Sequence, residues 1–175
     1  MTADQPRALV VRSQEAERLA LPAGGAFGLL VDADATGGSY GANRLTLGVG
    51  ADGARPHHHA VSWELFYVLD GVAEFLLGDS LVTVAAGGVV SVPTLLPHAF
   101  GAAAGSPTDL LVVASPGVER FGYFRELAEA AWGRQPFDRL TPLQDRYDVH
   151  FGSSEVWDTA RRRQPPARRS VGVLP

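Results

Sequence analysis

The sequence predicts an all-β domain of short antiparallel strands, folded as a sandwich or barrel and followed by a short helical segment. Three observations predict this class. Glycine and proline account for 20 and 12 of the 175 residues, which suits many short strands better than long helices. Short apolar runs recur at close intervals between residues 8 and 115. After Pro116, apolar residues recur at helical spacing instead.

Each predicted strand is a short run rich in apolar, aromatic or β-branched residues and bounded by Gly, Pro or Asp. The predicted strands are Ala8–Val11, Phe27–Val31, Asn43–Val49, Ser62–Leu69, Ala73–Leu77, Leu81–Ala85, Val89–Val92, Pro97–Phe100 and Asp109–Ala114. Strands this numerous and this short pack as a sandwich or close into a barrel.

Two helices are predicted after the strands. Apolar residues from Val118 onward fall on one face of a helix that ends near Gly133, and charged residues fall mostly on the other face. A second, short helix runs from Pro142 to about Tyr147, with Thr141 as its cap. The expected organisation is a β-barrel over residues 1–116, a helical appendage packed on it over 117–152, and an Arg/Pro-rich tail over 153–175.

Composition excludes several kinds of chemistry. The chain has no cysteine, so disulfides, thiolate metal sites and cysteine nucleophiles are excluded. All 15 basic residues are arginine, so lysine Schiff bases are excluded as well. All 19 acidic residues and 10 arginines precede position 160, and this acidic body argues against nucleic-acid binding.

The two ends of the chain carry no targeting or membrane signal. No run approaches the ~20 apolar residues that span a bilayer, and the N-terminus lacks a signal-peptide core. We therefore expect a cytoplasmic protein without a membrane partner. The tail holds five arginines and is predicted to be a solvated terminus, with contact to an anionic surface as the alternative.

Four of the five histidines lie in two short segments. In the first, residues two apart on an extended chain share a face, so His57 and His59 point the same way and His58 faces opposite. A bend after His59 would bring Glu64 of the next strand onto the same inner face, together with Phe66. In the second segment, a strand leads into a proline-bounded turn that presents His98.

Three imidazoles and a carboxylate that meet inside a small barrel would form a mixed nitrogen and oxygen site for a divalent metal. Such a set leaves one or two coordination positions open, as catalytic sites do. Metal affinity should fall as the pH drops through about 6, because ligating imidazoles must be neutral. In the alternative interpretation, the histidine run is a solvated loop and His98 an isolated core residue. Glu64 would then be a poorly explained buried charge.

These segments resemble the two motifs of the cupin superfamily, the small metal-binding jelly rolls. The first motif is His-x-His, four residues, Glu, six residues and Gly, and the second is Gly, five residues, Pro, and His five positions beyond that Pro. They are matched by His57, His59, Glu64 and Gly71, and by Gly87, Pro93 and His98. Three motif positions depart from the family: Ala51 and Leu95 replace glycines, and Ala102 replaces an asparagine.

The resemblance implies a cupin jelly-roll barrel that holds one divalent transition metal (Fe, Ni, Mn, Cu or Zn) through His57, His59, Glu64 and His98. It is nearest to bacterial single-domain quercetin-dioxygenase-like cupins. The activity it implies is a dioxygenase acting on a small aromatic, enolic or polyketide-like substrate, with Glu64 also accepting the substrate proton. By the same resemblance the chain is expected to form a homodimer.

Two other functions stay open at this stage. One is a non-oxidative isomerase, cyclase or decarboxylase of secondary metabolism, in which the metal acts as a Lewis acid. The other is a small-molecule-binding domain without turnover.

A mostly apolar pocket for a small organic ligand is expected around the metal. Its candidate residues are Phe66, Phe100, Arg44 and Tyr40. Arg44 and Arg55 are the only cationic residues expected near the motifs. His150 is expected to be a surface histidine, with an acid or base over the barrel mouth as the alternative.

Overall fold

The computed structural model describes residues 7–163 and confirms the all-β class. Within these residues, ten antiparallel strands form a curled sheet of jelly-roll type, and the three α-helices lie in the C-terminal part, after the ninth strand. The strands are β1 (Glu17–Ala20), β2 (Ala26–Val31), β3 (Gly41–Leu47), β4 (Asp52–His58), β5 (Trp63–Leu77), β6 (Ser80–Ala85), β7 (Val89–Val92), β8 (His98–Ala102), β9 (Thr108–Ser115) and β10 (His150–Phe151).

The helices are short. They are α1 (Phe121–Ala131), α2 (Gln144–Tyr147) and α3 (Glu155–Arg163), with 3-10 turns at Pro22–Gly24, Ala33–Thr36 and Phe137–Leu143. The carboxylate of Asp32 accepts hydrogen bonds from the backbone N–H groups of Arg120 (2.8 Å) and Phe121 (3.2 Å), which fixes the start of α1 on the barrel. No helix among the described residues is long and apolar enough to cross a membrane.

The long strand β5 holds the barrel together. The strand order is β1-β2-β3-β9-β5-β8-β4-β10, and β6 and β7 also pair with β5. The first half of β5 pairs with β7 and β9, and its second half pairs with β6 and β8. The start of β5 therefore faces the same interior as β8 and its neighbour β4.

The sequence predicts two strands, Ser62–Leu69 and Ala73–Leu77, where the structure has this single strand. The glycine between them bends the strand without ending it. Gly71 has φ +71°, and a Cβ at this position would collide with the carbonyl group of Pro107. Only glycine meets both conditions.

The core lies inside the curled sheet. Along β5 the side chains alternate between exposed and buried, and Phe66 and Val68 are fully buried. Phe66 packs against Phe75 and Phe100, with ring centroids 5.2 and 4.8 Å away. The predicted inward direction of the alternate residues in this strand is confirmed.

The opposite face of the same strand is apolar and exposed. It consists of Trp63, Leu65, Tyr67 and Leu69, with Val89 of β7 beside Tyr67. We call these five residues the outer β5 face. Arg44 of β3 and Asp109 of β9 lie on neighbouring strands and form an ion pair.

The prediction of a strand at Ala8–Val11 is wrong. These residues form no strand, and Leu9 and Val10 are at least half exposed. The first strand is instead β1. It pairs with β2 alone, and because three of its four residues are exposed, it lacks the apolar pattern that predicts a strand.

The expected Arg/Pro-rich tail begins with a helix, and the expectation that its arginine segment is solvated is wrong for Arg161. Glu155–Arg163 form α3, in which Trp157 is buried against Leu76 and Ala99. The guanidinium of Arg161 donates hydrogen bonds to Asp52 (2.7 Å), Glu74 (3.2 Å) and the carbonyls of Gly50 and Ala102 (both 2.9 Å). The tail beyond residue 163 lies outside the described residues.

Both predicted helices exist with shifted limits. The first begins at Phe121 rather than near Val118. In the second, the predicted start at Pro142 belongs to a 3-10 turn, and the α-helix begins at Gln144 without a side-chain cap.

Candidate metal centre

Three adjoining strands deliver the four residues of the two motifs. His57 lies near the end of β4, directly opposite His98 at the start of β8. His59 follows β4, and Glu64 is the second residue of β5. All four side chains are buried. The sequence is therefore right that a bend after His59 turns Glu64 onto the inner face.

The four side chains converge on one point inside the barrel. One nitrogen or oxygen atom from each of them lies within 4.8 Å of the corresponding atom of the other three. Oε2 of Glu64 lies 3.1 Å from Nε2 of His59 and 3.0 Å from Nε2 of His98. The ring centroids of His57 and His98 are 4.2 Å apart. We call these four residues the His/Glu cluster.

Backbone carbonyls fix which ring nitrogen of each histidine faces the cluster. Nδ1–H of His57 donates to the carbonyl of Arg55 (2.8 Å), and Nδ1–H of His98 donates to that of Leu96 (2.9 Å). Nδ1–H of His59 donates to the carbonyl of Asp148. A carbonyl can only accept, so these bonds place a hydrogen on Nδ1 of each ring and direct the ring toward the cluster. Bonds of this kind orient metal-ligating histidines.

These separations fit a divalent metal. Metal bonds to imidazole nitrogen and carboxylate oxygen of about 2.1 Å place neighbouring ligand atoms about 3 Å apart. The two measured separations from Oε2 of Glu64 match that value. Three imidazoles and one carboxylate form a donor set that suits Fe, Ni, Mn, Cu or Zn.

Protonation in the His/Glu cluster also suits a metal. Burial raises the pKa of the Glu64 carboxyl group, but the charges and hydrogen bonds of His59 and His98 outweigh burial and hold this pKa well below its ordinary value. Burial lowers the pKa of His57 well below its ordinary value, and the neighbouring His98 and His59 lower it further. At neutral pH Glu64 is ionised and His57 is neutral, as ligation requires.

The bend between His59 and Glu64 is held from a distant part of the chain. The carboxylate of Asp148 accepts hydrogen bonds from the backbone N–H groups of Ala60 (2.6 Å), Val61 (3.1 Å) and Ser62 (2.9 Å). These bonds lower the pKa of Asp148 although its burial acts in the opposite direction. Because its backbone carbonyl also orients His59, Asp148 positions both the bend and a ligand.

A buried arginine completes the surroundings of Glu64. Arg120 is 6% exposed, and its Nη1 lies 3.8 Å from Oε1 of Glu64. Its Nε donates to the carbonyl of Tyr147 (2.9 Å), and its Nη2 donates to that of Asp148 (3.2 Å). The expectation that only Arg44 and Arg55 lie near the motifs is wrong. By sequence, Arg120 falls on the charged side of a helix, whereas the structure places it just before α1 and turned inward.

A narrow cavity adjoins Glu64 between α1 and the sheet, and we call it the Glu64 cavity. Its volume is about 20 Å³, room for about one water molecule. Its polar lining is Glu64, Arg120, Asn43 and Asp32. Its remaining lining is mostly apolar, from Val31, Gly41, Ala42, Val112, Ala114, Val118, Phe121 and Phe124.

The four candidate pocket residues lie elsewhere. Phe66 and Phe100 belong to the core below the His/Glu cluster, with the ring of Phe66 6.4 Å from that of His98. Arg44 points outward to Asp109, and Tyr40 is 41% exposed. Their side chains are not among those that line the Glu64 cavity. The outward direction of Arg44 follows from the alternation along β3, because its neighbour Asn43 takes the inward position.

The structure places His150 and Arg55 outside the His/Glu cluster. His150 of β10 pairs with His58 of β4, and their rings stack at 5.0 Å. The guanidinium of Arg55 lies 3.7 Å above the ring of Phe137, outside the His/Glu cluster. The histidine pair faces away from the cluster because His58 alternates with His57 and His59 along the strand.

The departures from the family pattern leave the His/Glu cluster intact. Leu95 adopts φ +66°, the left-handed conformation that suits a glycine. Its N–H donates to the carbonyl of His59 (2.7 Å), which ties the turn before His98 to the other motif. At the other departures, the N–H of Ala102 donates to the carbonyl of Ala51 (2.9 Å).

Comparison with known proteins agrees with this geometry. Residues 43–114 match the family model of the cupin domain. No protein of curated function matches the sequence.

Solved structures share the fold. A Streptomyces PAC13 variant with uridine is 18% identical over 66% of this chain and 87% of its own (TM-score 0.51). The polyketide cyclase RemF from Streptomyces resistomycificus is 21% identical over 63% and 80% (TM-score 0.51). A predicted oxalate decarboxylase from Thermotoga maritima is 24% identical over 61% and 98% (TM-score 0.53). The jelly-roll strands, both histidine motifs and the family model agree that residues 43–114 form a cupin domain.

Proposed function

We propose that this chain is a metal-dependent enzyme that deprotonates a small enol or phenol substrate at the His/Glu cluster. The observation that supports it best is the shared orientation of the three imidazoles. Each is fixed through Nδ1 to a backbone carbonyl. Nε2 of His59 and of His98 faces the carboxylate of Glu64, and one nitrogen of His57 lies within 4.8 Å of the other ligand atoms. A buried histidine group without a ligand role has no need for this common arrangement.

Bound to the His/Glu cluster, a divalent Fe, Ni, Mn, Cu or Zn ion would supply Lewis acidity that makes a substrate hydroxyl more acidic. Oε2 of Glu64 lies among the histidines, whereas Oε1 faces Arg120. Because its pKa is held low, Glu64 is ionised at neutral pH but is a weak base, so it would accept the substrate proton only from a hydroxyl that the metal makes acidic.

Arg120 fits the same step. Its guanidinium lies beside Glu64 in a buried setting, where charge interactions are stronger than in water. Negative charge that moves from Glu64 to the substrate oxygen would remain next to this cation. We therefore assign to Arg120 the stabilisation of the substrate anion.

The fate of the anion separates two reactions. In the dioxygenase that the sequence predicts, the anion reacts with dioxygen. In the non-oxidative alternative, it isomerises, cyclises or loses a group under Lewis-acid assistance. The similar folds of RemF, named a polyketide cyclase, and of PAC13, named a nucleoside dehydratase, are reasons to test both reactions equally.

The test uses protein loaded in turn with each of the five metals and a panel of flavonoids and polyketide phenols. Oxygen uptake with product formation supports the dioxygenase, and product formation under anaerobic conditions supports the non-oxidative enzyme. Glu64→Gln should abolish either activity. Glu119→Gln, which removes an exposed carboxylate next to Arg120, should leave activity unchanged. Tight binding of a panel compound without any product would contradict an enzymatic role and favour a binding domain.

A further inference from the structure

Asn43 is a buried polar residue that neither the fold nor the His/Glu cluster explains. It is 7% exposed and takes an inward position on β3, paired with Leu29 of β2 and Val112 of β9. Its side-chain amide lines the Glu64 cavity but makes no hydrogen bond to any residue between 7 and 163. Buried side-chain amides without a partner are rare in folded proteins. The amide therefore indicates a partner that the described chain does not provide.

Two further polar atoms at the same cavity have no direct hydrogen-bond partner. Nε and Nη2 of Arg120 donate to backbone carbonyls, whereas Nη1 makes no hydrogen bond within the described residues. Oε2 of Glu64 faces His59 and His98, whereas Oε1 receives no hydrogen bond from this part of the chain. Nη1 and Oε1 are 3.8 Å apart. This separation is too long for a hydrogen bond, and a water molecule can bridge it.

The size and the chemistry of the Glu64 cavity select its occupant. A volume of about 20 Å³ has room for one water molecule and excludes an organic substrate. The occupant has to accept hydrogen bonds from a guanidinium and an amide, and to donate one to a carboxylate. Water does both, whereas a simple anion has no hydrogen to donate to Glu64 and a cation would be repelled by Arg120. Three polar partners are also within the two to four that a buried water uses.

We propose that Asn43 and Arg120 bind one water molecule that donates a hydrogen bond to Oε1 of Glu64, and that they position this carboxylate for the metal through the water. Asn43 and Arg120 are therefore positioning residues, because neither belongs to the ligand set. The proposal rests on the metal-binding part of the proposed function, and it is independent of the reaction that the metal supports.

The water acts on a rotation of Glu64 that the rest of the site leaves open. The terminal torsion of a glutamate side chain is broad, so burial of its stem does not fix the plane of the carboxylate. Oε2 faces Nε2 of His59 and of His98, the side on which a metal would bind, so Oε1 is the oxygen available for a hydrogen bond that fixes the plane. Groups that orient a metal ligand in this way commonly contribute about 10–100-fold to metal affinity.

The first test is a high-resolution crystal structure of the metal-free, full-length protein. We expect one water peak within about 3.2 Å of Nη1 of Arg120, of the Asn43 amide and of Oε1 of Glu64. In Asn43→Leu, which has a similar size but no amide, this peak should be absent. The proposal is overturned if the wild type shows no peak at this place, or if Nη1 and Oε1 form a direct hydrogen bond instead.

The second test measures Zn²⁺ affinity by calorimetric titration. Asn43→Leu should bind Zn²⁺ about tenfold more weakly or less tightly still, although Asn43 is not a ligand. Arg44→Leu, at the next position of β3 but on its outer face, should keep the wild-type affinity. Equal affinities of Asn43→Leu and the wild type would overturn the positioning role.

A matched pair of variants separates positioning from folding. Asn43→Leu should unfold near the wild-type temperature, since the amide has no protein partner to lose. Asn43→Ser and Asn43→Ala leave the same space and differ in one hydroxyl group, which can hold the water. The serine variant should therefore bind Zn²⁺ more tightly than the alanine variant. Equal affinities of these two variants would contradict the proposal even if Asn43→Leu failed to fold.

The outcomes also separate this inference from the proposed function. A protein that holds the water and binds Zn²⁺ in an Asn43-dependent way, but forms no product, refutes the enzyme and supports the positioning role. A protein that forms product but holds no water at the Glu64 cavity, or binds Zn²⁺ independently of Asn43, refutes the positioning role alone. A wild type that takes up no metal refutes both.

Discussion

Replacing Asp148 by Asn should destabilise the fold and weaken metal binding together. Oδ2 of Asp148 accepts from the N–H of Ser62, a residue with 0% exposure, and Oδ1 accepts from Ala60 and Val61. Asparagine has one side-chain oxygen in place of two, so it can take over the hydrogen bonds of Oδ1 or those of Oδ2 but not both. If it keeps Ala60 and Val61, the N–H of Ser62 is left buried without its acceptor, which costs about 1–3 kcal/mol.

Loss of the charge adds to this cost. The two retained hydrogen bonds become neutral ones, and each loses about 0.5–1 kcal/mol. The total is about 2–5 kcal/mol, or an unfolding temperature lower by about 4–20 °C in a chain of this size. Since the backbone carbonyl of Asp148 orients His59, the bend and the ligand shift together. Metal affinity should then fall by about 10–100-fold, as for other groups that orient a metal ligand.

The assay compares Asp148→Asn with Asp145→Asn, which removes a fully exposed carboxylate three residues earlier. Calorimetric unfolding and metal titration should change in the first variant and stay at wild-type values in the second. The difference in unfolding free energy between the wild type and Asp148→Asn also depends on pH. Because the pKa of Asp148 is lower in the folded protein, its contribution is complete above about pH 4 and is lost as the pH falls toward the folded-state pKa. Equal stability of both variants at pH 7 would refute the role given to Asp148.

Four other outcomes are expected. Leu95→Gly should stabilise the fold by about 1 kcal/mol in chemical denaturation because it relieves a left-handed leucine that is mostly exposed; a loss of stability would contradict this. Arg161→Met should cost about 2–3 kcal/mol through its lost bonds to two carbonyls and two carboxylates, whereas the exposed Arg162→Met should change stability little. We propose that the chain forms a homodimer through the outer β5 face, because the face is apolar and the nearby Arg44–Asp109 pair adds no net charge. Wild type should sediment as a dimer and Trp63→Arg as a monomer, and a wild-type monomer would be the contrary result. Metal affinity should fall between pH 7.5 and 5, because protons compete for the imidazoles; an affinity that stays constant over this range would contradict ligation by histidine.

The sequence was sufficient to predict the four members of the His/Glu cluster as neighbours. The spacing of the first motif places His57, His59 and Glu64 on one face once a bend is allowed, and the strand and proline-bounded turn of the second segment present His98. The strands that carry them were also predictable from alternation and turn residues. These features depend on short stretches of chain, where local patterns determine which side of a strand a residue occupies.

The surroundings of the cluster could not be predicted in this way. Asp148 acts on a bend that lies 86 to 88 residues earlier in the chain. Arg120 looks like one more charge on the polar side of a helix until α1 is placed on the barrel. The inward position of Asn43 follows from alternation once the register of β3 is known. Contacts between distant segments leave no periodic pattern in the sequence.

The most direct test of the account is anomalous diffraction from crystals of the metal-loaded protein, measured at the absorption edge of the added metal. We expect one peak within bonding distance of Nε2 of His57, His59 and His98 and of a carboxylate oxygen of Glu64. A peak that lies at Nδ1 of these rings or at another site, or no peak at the His/Glu cluster under saturating metal, would contradict the central claim.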